Sequence, residues 1–205
     1  IHVYADRYPH GTFVSKPGTI QSGCDDLVIT VHGKGGHGSA PHQAADPVPV
    51  AAEIVLGLQT MVTRQFDAFD PVVVTVGSIK AGSAANIIPS TATIEVTLRS
   101  FSPASREKLV PAVKQVAKGI AEAHGMSASY SVECDFPVTV NSAAHVDYVA
   151  ETARDLFGEH AYRDLPRTEA GSEDFSEVLE RVPGAYIFLG AVTEGEDPTT
   201  VPGNH

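Results

Sequence analysis

Basic residues are scarce in this chain. Fourteen lysines and arginines face 25 aspartates and glutamates, leaving a formal net charge of −11 at pH 7. A surface of that sign lacks the basic patches that displace counterions, which argues against nucleic acid and anionic membrane as partners. Long apolar runs are missing as well. No window approaches the roughly 18 consecutive apolar residues of a membrane-spanning helix, so such a span is excluded. Cysteine is limited to Cys24 and Cys134. Two in a domain of ordinary size read more naturally as reduced thiols than as a structural bridge, although a bridge stays open. There is no initiator methionine, and Ile1-His2-Val3-Tyr4-Ala5-Asp6 shows neither a basic-then-apolar leader nor a small-residue cleavage site. The chain therefore reads as opening in mid-sequence, a piece of something longer, and the lack of a secretory signal fits a cytoplasmic protein.

Several catalytic signatures are absent too. No His-Glu-x-x-His or paired Cys-x-x-Cys stretch is present to close a zinc site, and no Gly-x-Ser-x-Gly elbow presents a nucleophile. Lys34 lies in a glycine-rich loop, but the spacing of a phosphate-binding loop is not there. What is there is an ordinary globular mix, 42% hydrophobic and 19% charged, which argues against wholesale disorder. At 205 residues the chain exceeds one typical domain and falls short of two large ones.

Along the chain, Leu27 to His32 alternates with period two, as a half-buried strand does. Val50, Ile54, Val55, Leu58, Met61 and Val62 recur at helical spacing up to Gln65, and Asp46-Pro47 supplies a helix start. Residues 71–80 are rich in β-branched side chains, and residues 89–99 alternate threonine and glutamate against Ala92, Ile94, Val96 and Leu98. Ser102-Pro103 opens a second helix to about His124, stopped by Gly125, and residues 127–134 make a fourth strand. This βαββαβ order predicts a ferredoxin-like unit, an antiparallel four-stranded sheet with two helices on one face. After Phe136-Pro137 come a helix over residues 142–157, a turn at 168–172, a short helix to Arg181 and an apolar strand at 185–189. An all-apolar strand between helices belongs to a buried α/β sheet, to which the opening segment also returns. The fold class is thus α+β: a ferredoxin-like insert at 24–136 between α/β remnants at 1–23 and 137–205.

Four places carry polar groups that a simple core does not need. His37 lies among glycines at 33, 35, 36 and 38, on what reads as a flexible turn. Its plainer reading is a surface turn; its functional one is a histidine donating to a developing oxyanion. Asn86 precedes Ile87-Ile88-Pro89, where it either caps a turn or joins a site. Arg99 ends a strand, as a solvated edge charge or as a forked contact to a carboxylate. Together these three point to an acyl-transfer or hydrolase site. His2 and His205, at the two ends of the chain, are metal-ligand types but too few for a closed site. In Glu169-Ala170-Gly171-Ser172-Glu173-Asp174-Phe175, Ser172 reads as a helix N-cap, and backbone N–H groups near Gly171 are candidates for holding a carboxylate.

In that order the motifs Gly33-Lys34-Gly35-Gly36-His37-Gly38-Ser39-Ala40-Pro41-His42, Asp46-Pro47, Asn86-Ile87-Ile88-Pro89, Arg99, Gly171-Ser172-Glu173-Asp174-Phe175 and Asn204-His205 resemble the aminoacylase/hippurate hydrolase amidohydrolases. These are co-catalytic metallopeptidase relatives that include plant auxin-conjugate hydrolases, and the likeness covers nearly the whole chain. It implies a two-metal hydrolase of N-acyl amino acids, with two divalent ions (Zn, Mn, Co or Ni) and a dimer formed through the lid. By the same resemblance His2 and His205 are metal ligands. His37 is the lid histidine that reaches an active site, that of the partner subunit, and Asn86, Arg99 and Gly171 contact substrate. Of the family's N-terminal signatures, neither the Cys-Gly-His metal motif nor the Glu-Glu pair with the general base occurs here, and the His-x-Asp string His145-Val146-Asp147 falls inside the predicted helix over residues 142–157 rather than in an N-terminal half. The expectation is that this polypeptide alone is inactive while its parent is an enzyme; the alternative is a non-catalytic dimerisation or ligand-binding module.

Overall fold

A computed structural model of the chain describes every residue except Glu194, Pro198, Thr199, Asn204 and His205, along with all side chains there but that of Cys134. The chain divides into two units, Ile1–Ser22 with Pro137–His205, and Gly23–Phe136. Strands β1 (His2–Pro9), β2 (Phe13–Ser15) and β3 (Gly18–Gln21) open the first unit. The second unit runs β4 (Gly23–His32), β5 (Gly36–His37), α1 (Pro47–Gln65), β6 (Val72–Ala81), β7 (Ile87–Ile88), β8 (Thr91–Ser100), α2 (Pro103–Ala123) and β9 (Ser127–Phe136). The chain then returns to the first unit with β10 (Thr139–Asn141), α3 (Ala143–Phe157), β11 (Tyr162–Asp164), α4 (Ser176–Leu179) and β12 (Phe188–Val192).

In the second unit the four long strands form one antiparallel sheet in the order β6-β8-β4-β9. Its register follows from alternation: shifting a strand by one residue would turn its apolar set to the opposite face. Leu27, Ile29 and Val31 of β4 and Ile94, Val96 and Leu98 of β8 all point to one face and are buried. There they meet Ile54 and Leu58 of α1 and Leu109 and Val113 of α2 in one continuous core. Burying each such side chain contributes about 1.5–3 kcal/mol. Both helices start as expected from local chemistry. The Asp46 carboxylate accepts the Val48 N–H at 3.0 Å, with Pro47 at the first helical position. The Ser102 hydroxyl accepts the Ser105 N–H at 3.0 Å, and Gly125 turns the chain beyond α2 with φ +69°.

The first unit holds a mixed sheet ordered β1-β12-β2-β11, with β1 parallel to β12 and β12 antiparallel to β2, and a separate β10-β3 pair. The apolar strand expected at 185–189 instead begins at Phe188. The reason is a side-chain network on the preceding backbone. The Tyr186 N–H donates to Asn141 Oδ1 at 2.7 Å, and its carbonyl accepts from Ser15 Oγ at 2.8 Å and Asn141 Nδ2 at 3.0 Å. Apolar composition marks residues 185–187 as buried but says nothing about which groups take their hydrogen bonds. None of the described helices is long and apolar enough to cross a membrane.

Candidate functional site

The glycine-rich stretch after β4 is bound along its length rather than loose. Gly33 donates to the Ser90 carbonyl at 2.8 Å, and Lys34 exchanges two backbone hydrogen bonds with Ala45 at 2.8 and 2.9 Å. A Cβ on Gly33 would lie 2.2 Å from the Ala45 carbonyl oxygen, so the close approach requires glycine. The chain then pairs β5 with β7, Gly36 opposite Ile88 and His37 opposite Ile87. The Gly38 N–H donates to the Asn86 carbonyl at 2.8 Å. His37 and Asn86, 49 positions apart in sequence, are thereby held side by side on two clamped backbones. Both are solvent-exposed. Asn86 uses its backbone carbonyl in this contact, and among the described residues its side chain caps no turn. Around His37 the chain closes a tight turn, the Ala40 N–H donating to the His37 carbonyl at 2.9 Å. Inside it, Nδ1 of the His37 ring accepts the Ser39 N–H at 3.2 Å and lies 2.7 Å from Ser39 Oγ.

Arg99 does not join this pair. It lies on β8 between Cys24 and Val73, eight residues beyond Thr91, which pairs with His32 at the start of the glycine-rich stretch. Eight residues of strand span about 26 Å. His37 and Asn86 thus occupy one end of the sheet and Arg99 the other, one pair from Gly23 and Phe136, the residues by which the chain enters and leaves this unit. Alternation turns Arg99 away from the helices, to the face that carries Glu95 and Thr97.

In the other unit, His2 opens β1 opposite Phe188, its ring 4.7 Å from that of Tyr4 and edge-on to Phe188 at 6.4 Å. His205 lies outside the described residues. Among the described residues no three His, Cys, Asp or Glu side chains gather as a metal site. The described residues therefore do not, by themselves, fit a bound metal. Gly171 lies in an extended segment tied to β3, its carbonyl accepting from Ser22 Oγ at 3.1 Å while Glu169 donates to Ile20 at 2.9 Å. Ser172 is not a helix cap: α4 begins at Ser176 and is four residues long. The glutamates on either side of Ser172 find specific partners. Glu173 accepts the Tyr186 hydroxyl, and Glu169 pairs with Arg7 at 2.5 Å, while Arg7 stacks over Tyr4 at 4.5 Å. Burial and the Glu173 carboxylate push the Tyr186 phenol far above its usual range. Ser39 is the residue of the His37 turn that sequence reasoning passed over; its signal was its place two positions after a glycine-flanked histidine.

Residues 20–125, about half of the chain, match the M20 family model described as a peptidase dimerisation domain. The chain belongs to the M20 peptidase family. It is 37% identical over 177 residues to the hippurate hydrolase of Campylobacter jejuni, an alignment covering 86% of this chain and 46% of that protein. It is 36% identical over 198 residues to the IAA-amino acid hydrolase ILR1-like 2 of Arabidopsis thaliana, covering 95% and 44%. Among solved structures it is similar to the Bacillus subtilis YXEP protein, described as a dinuclear metal binding peptidase of the M20 family. That match has a TM-score of 0.73 and 26% identity, and covers 95% of this chain and 48% of that one. The chain spans about half the length of the curated relatives it matches.

Proposed function

We propose that the full-length protein is a metal-dependent amidohydrolase of N-acyl amino acids, acting as a homodimer in the cytoplasm. In this reading residues 24–136 are its ferredoxin-like lid, and residues 1–23 and 137–205 belong to its catalytic domain. The strand order β6-β8-β4-β9, with α1 and α2 sharing one core, supports the lid assignment. The dimerisation-domain match supports the homodimer, and two relatives named for hydrolysing acylated amino acids support the substrate class. His2 and His205 are the proposed contributions of this chain to a dinuclear centre of Zn, Mn, Co or Ni.

The observation that carries the proposal is the separation of His37 and Asn86 from Arg99. Amide hydrolysis builds negative charge on the carbonyl oxygen, and neutral N–H donors fixed beside it stabilise that charge. The His37 ring and the Asn86 amide supply two such donors on clamped backbones. The carboxylate of an N-acyl amino acid lies only a few bonds from the scissile carbonyl, so Arg99, about 26 Å along β8 from the strand end that leads into the His37 and Asn86 loops, is too far to bind it beside them in one lid. The two groups are reconciled if Arg99, beside its own chain's connections, holds the carboxylate in one subunit while His37 and Asn86 reach in from the partner lid. Gly171 is a further backbone contact to that carboxylate.

Steady-state kinetics of the full-length protein on N-acyl amino acids tests the assignment. Replacing His37 by Ala should cost about 10²–10³ in kcat, the usual loss for one oxyanion donor; a value within a few-fold of wild type overturns its role. The 205-residue chain alone, given Mn²⁺, Co²⁺ or Zn²⁺, should show no turnover. Chelator-sensitive turnover by that chain contradicts the proposal.

A further inference from the structure

We propose that Ser39 is a positioning residue that keeps the proton of the neutral His37 ring on Nε2, the edge left for a substrate. The inference rests on the reading of His37 as an oxyanion donor and adds what makes it a donor. A neutral imidazole carries one N–H and one lone pair, and the hydrogen bond at one nitrogen decides which is which. Here the Ser39 backbone N–H, which can only donate, points at Nδ1 at 3.2 Å. A proton on Nδ1 would face that N–H, so Nδ1 presents its lone pair. The Ser39 hydroxyl, 2.7 Å from the same nitrogen, supplies a second and shorter donor that holds the ring in one orientation.

The arrangement is built into the backbone. The bond from the Ala40 N–H to the His37 carbonyl at 2.9 Å closes a turn with Gly38 and Ser39 at its centre, and the bond from Gly38 to Asn86 at 2.8 Å anchors it to the facing loop. A Cβ at Gly38 would sit 3.2 Å from the Asn86 carbonyl, which keeps that anchor short. With Nδ1 turned inward, Nε2 is on the outer edge of an exposed ring, and among the described residues it has no hydrogen-bond partner. An oxyanion meeting Nε2–H is stabilised; the other tautomer would present a lone pair to it.

Kinetics of the full-length enzyme and ¹⁵N NMR of this chain test the assignment together. Ser39→Ala removes only the hydroxyl and should lower kcat about 3–10-fold, the scale of one ordinary hydrogen bond, with KM little changed. Ser39→Thr should restore kcat, and His37→Ala/Ser39→Ala should be no slower than His37→Ala alone. At alkaline pH, where the ring is neutral, the wild-type spectrum should show Nε2 protonated and Nδ1 bare, and Ser39→Ala should show a mixture. Equal slowing by Ser39→Ala with and without His37, or a wild-type ring protonated on Nδ1, overturns the inference. If His37→Ala proves harmless while the spectrum shows the Nε2 proton, the oxyanion reading fails and Ser39 keeps only its structural effect.

Discussion

Replacing Asn141 by Ala tests how the first unit is held together. Asn141 is 3% exposed, and its amide makes four contacts. It donates to Ser15 Oγ at 3.1 Å, to the Lys16 carbonyl at 3.0 Å and to the Tyr186 carbonyl at 3.0 Å, and it accepts the Tyr186 N–H at 2.7 Å. Truncation leaves these partners unequal. The Tyr186 carbonyl keeps the Ser15 hydroxyl at 2.8 Å, and the part-buried Lys16 carbonyl is within reach of water, whereas the Tyr186 N–H loses its acceptor in the interior. One orphaned buried group costs about 1–3 kcal/mol, and the lost direct bonds and small void bring the expected total to about 2–4 kcal/mol. With no tryptophan in the chain, urea unfolding is best followed by far-ultraviolet circular dichroism. A slope near 2 kcal/mol/M turns that cost into a midpoint lower by about 1–2 M. Asn141→Asp keeps the acceptor but sets a carboxylate against two carbonyls, so it should be at least as damaging at neutral pH and milder in acid. Val140→Ala, on the more open side of the same strand, should cost far less. A midpoint for Asn141→Ala within about 0.2 M of wild type refutes the reasoning, because water would then be replacing the amide.

Three further outcomes are expected. Burial, reinforced by the Asp164 carboxylate, pushes the Tyr162 phenol up to about 12. A phenol whose folded value lies above its unfolded one stabilises the fold below pH about 10 and loses that contribution as pH rises toward 12. Ultraviolet titration should therefore show tyrosines ionising in separate steps, and a single step near pH 10 in the folded protein contradicts this. Arg99→Ala in the full-length enzyme should raise KM for N-acyl amino acids far more than it lowers kcat, and equal losses on a substrate without the carboxylate remove Arg99 from its role. Light scattering should find this chain dimeric at micromolar concentration through residues 24–136; a monomer at that concentration counts against the lid assignment.

Much of the second unit was legible because its determinants are local. Alternation in Leu27 to Val31 and Ala92 to Leu98 names the buried face, and Asp46-Pro47, Ser102-Pro103 and Gly125 mark helix ends through bonds within a few residues. The candidate site was legible by residue type but not by distance. His37, Asn86 and Arg99 look like one cluster in sequence, yet the length of β8 puts Arg99 at the far end of the sheet. Two-residue strands such as β5 and β7 are too short to show any period, so the clamp between His37 and Asn86 had no sequence signal beyond its glycines. Ser172 had the chemistry of a cap, but the helix that follows starts only at Ser176 and is four residues long, while Glu169 and Glu173 pair with Arg7 and Tyr186, partners far away in sequence. The start of β12 was hidden for a similar reason: Asn141 and Ser15, far away in sequence, take the Tyr186 backbone.

The most direct test mixes two full-length variants that are each impaired at substrate concentrations well below KM, His37→Ala and Arg99→Ala, and allows subunits to exchange. If each site combines Arg99 of one chain with His37 of the other, a mixed dimer contains one intact site. Random exchange then restores about one quarter of wild-type activity, half the dimers being mixed with half their sites whole. Activity that stays at the level of the separate variants, once exchange has been verified, would place both residues in the same chain's site and contradict the account.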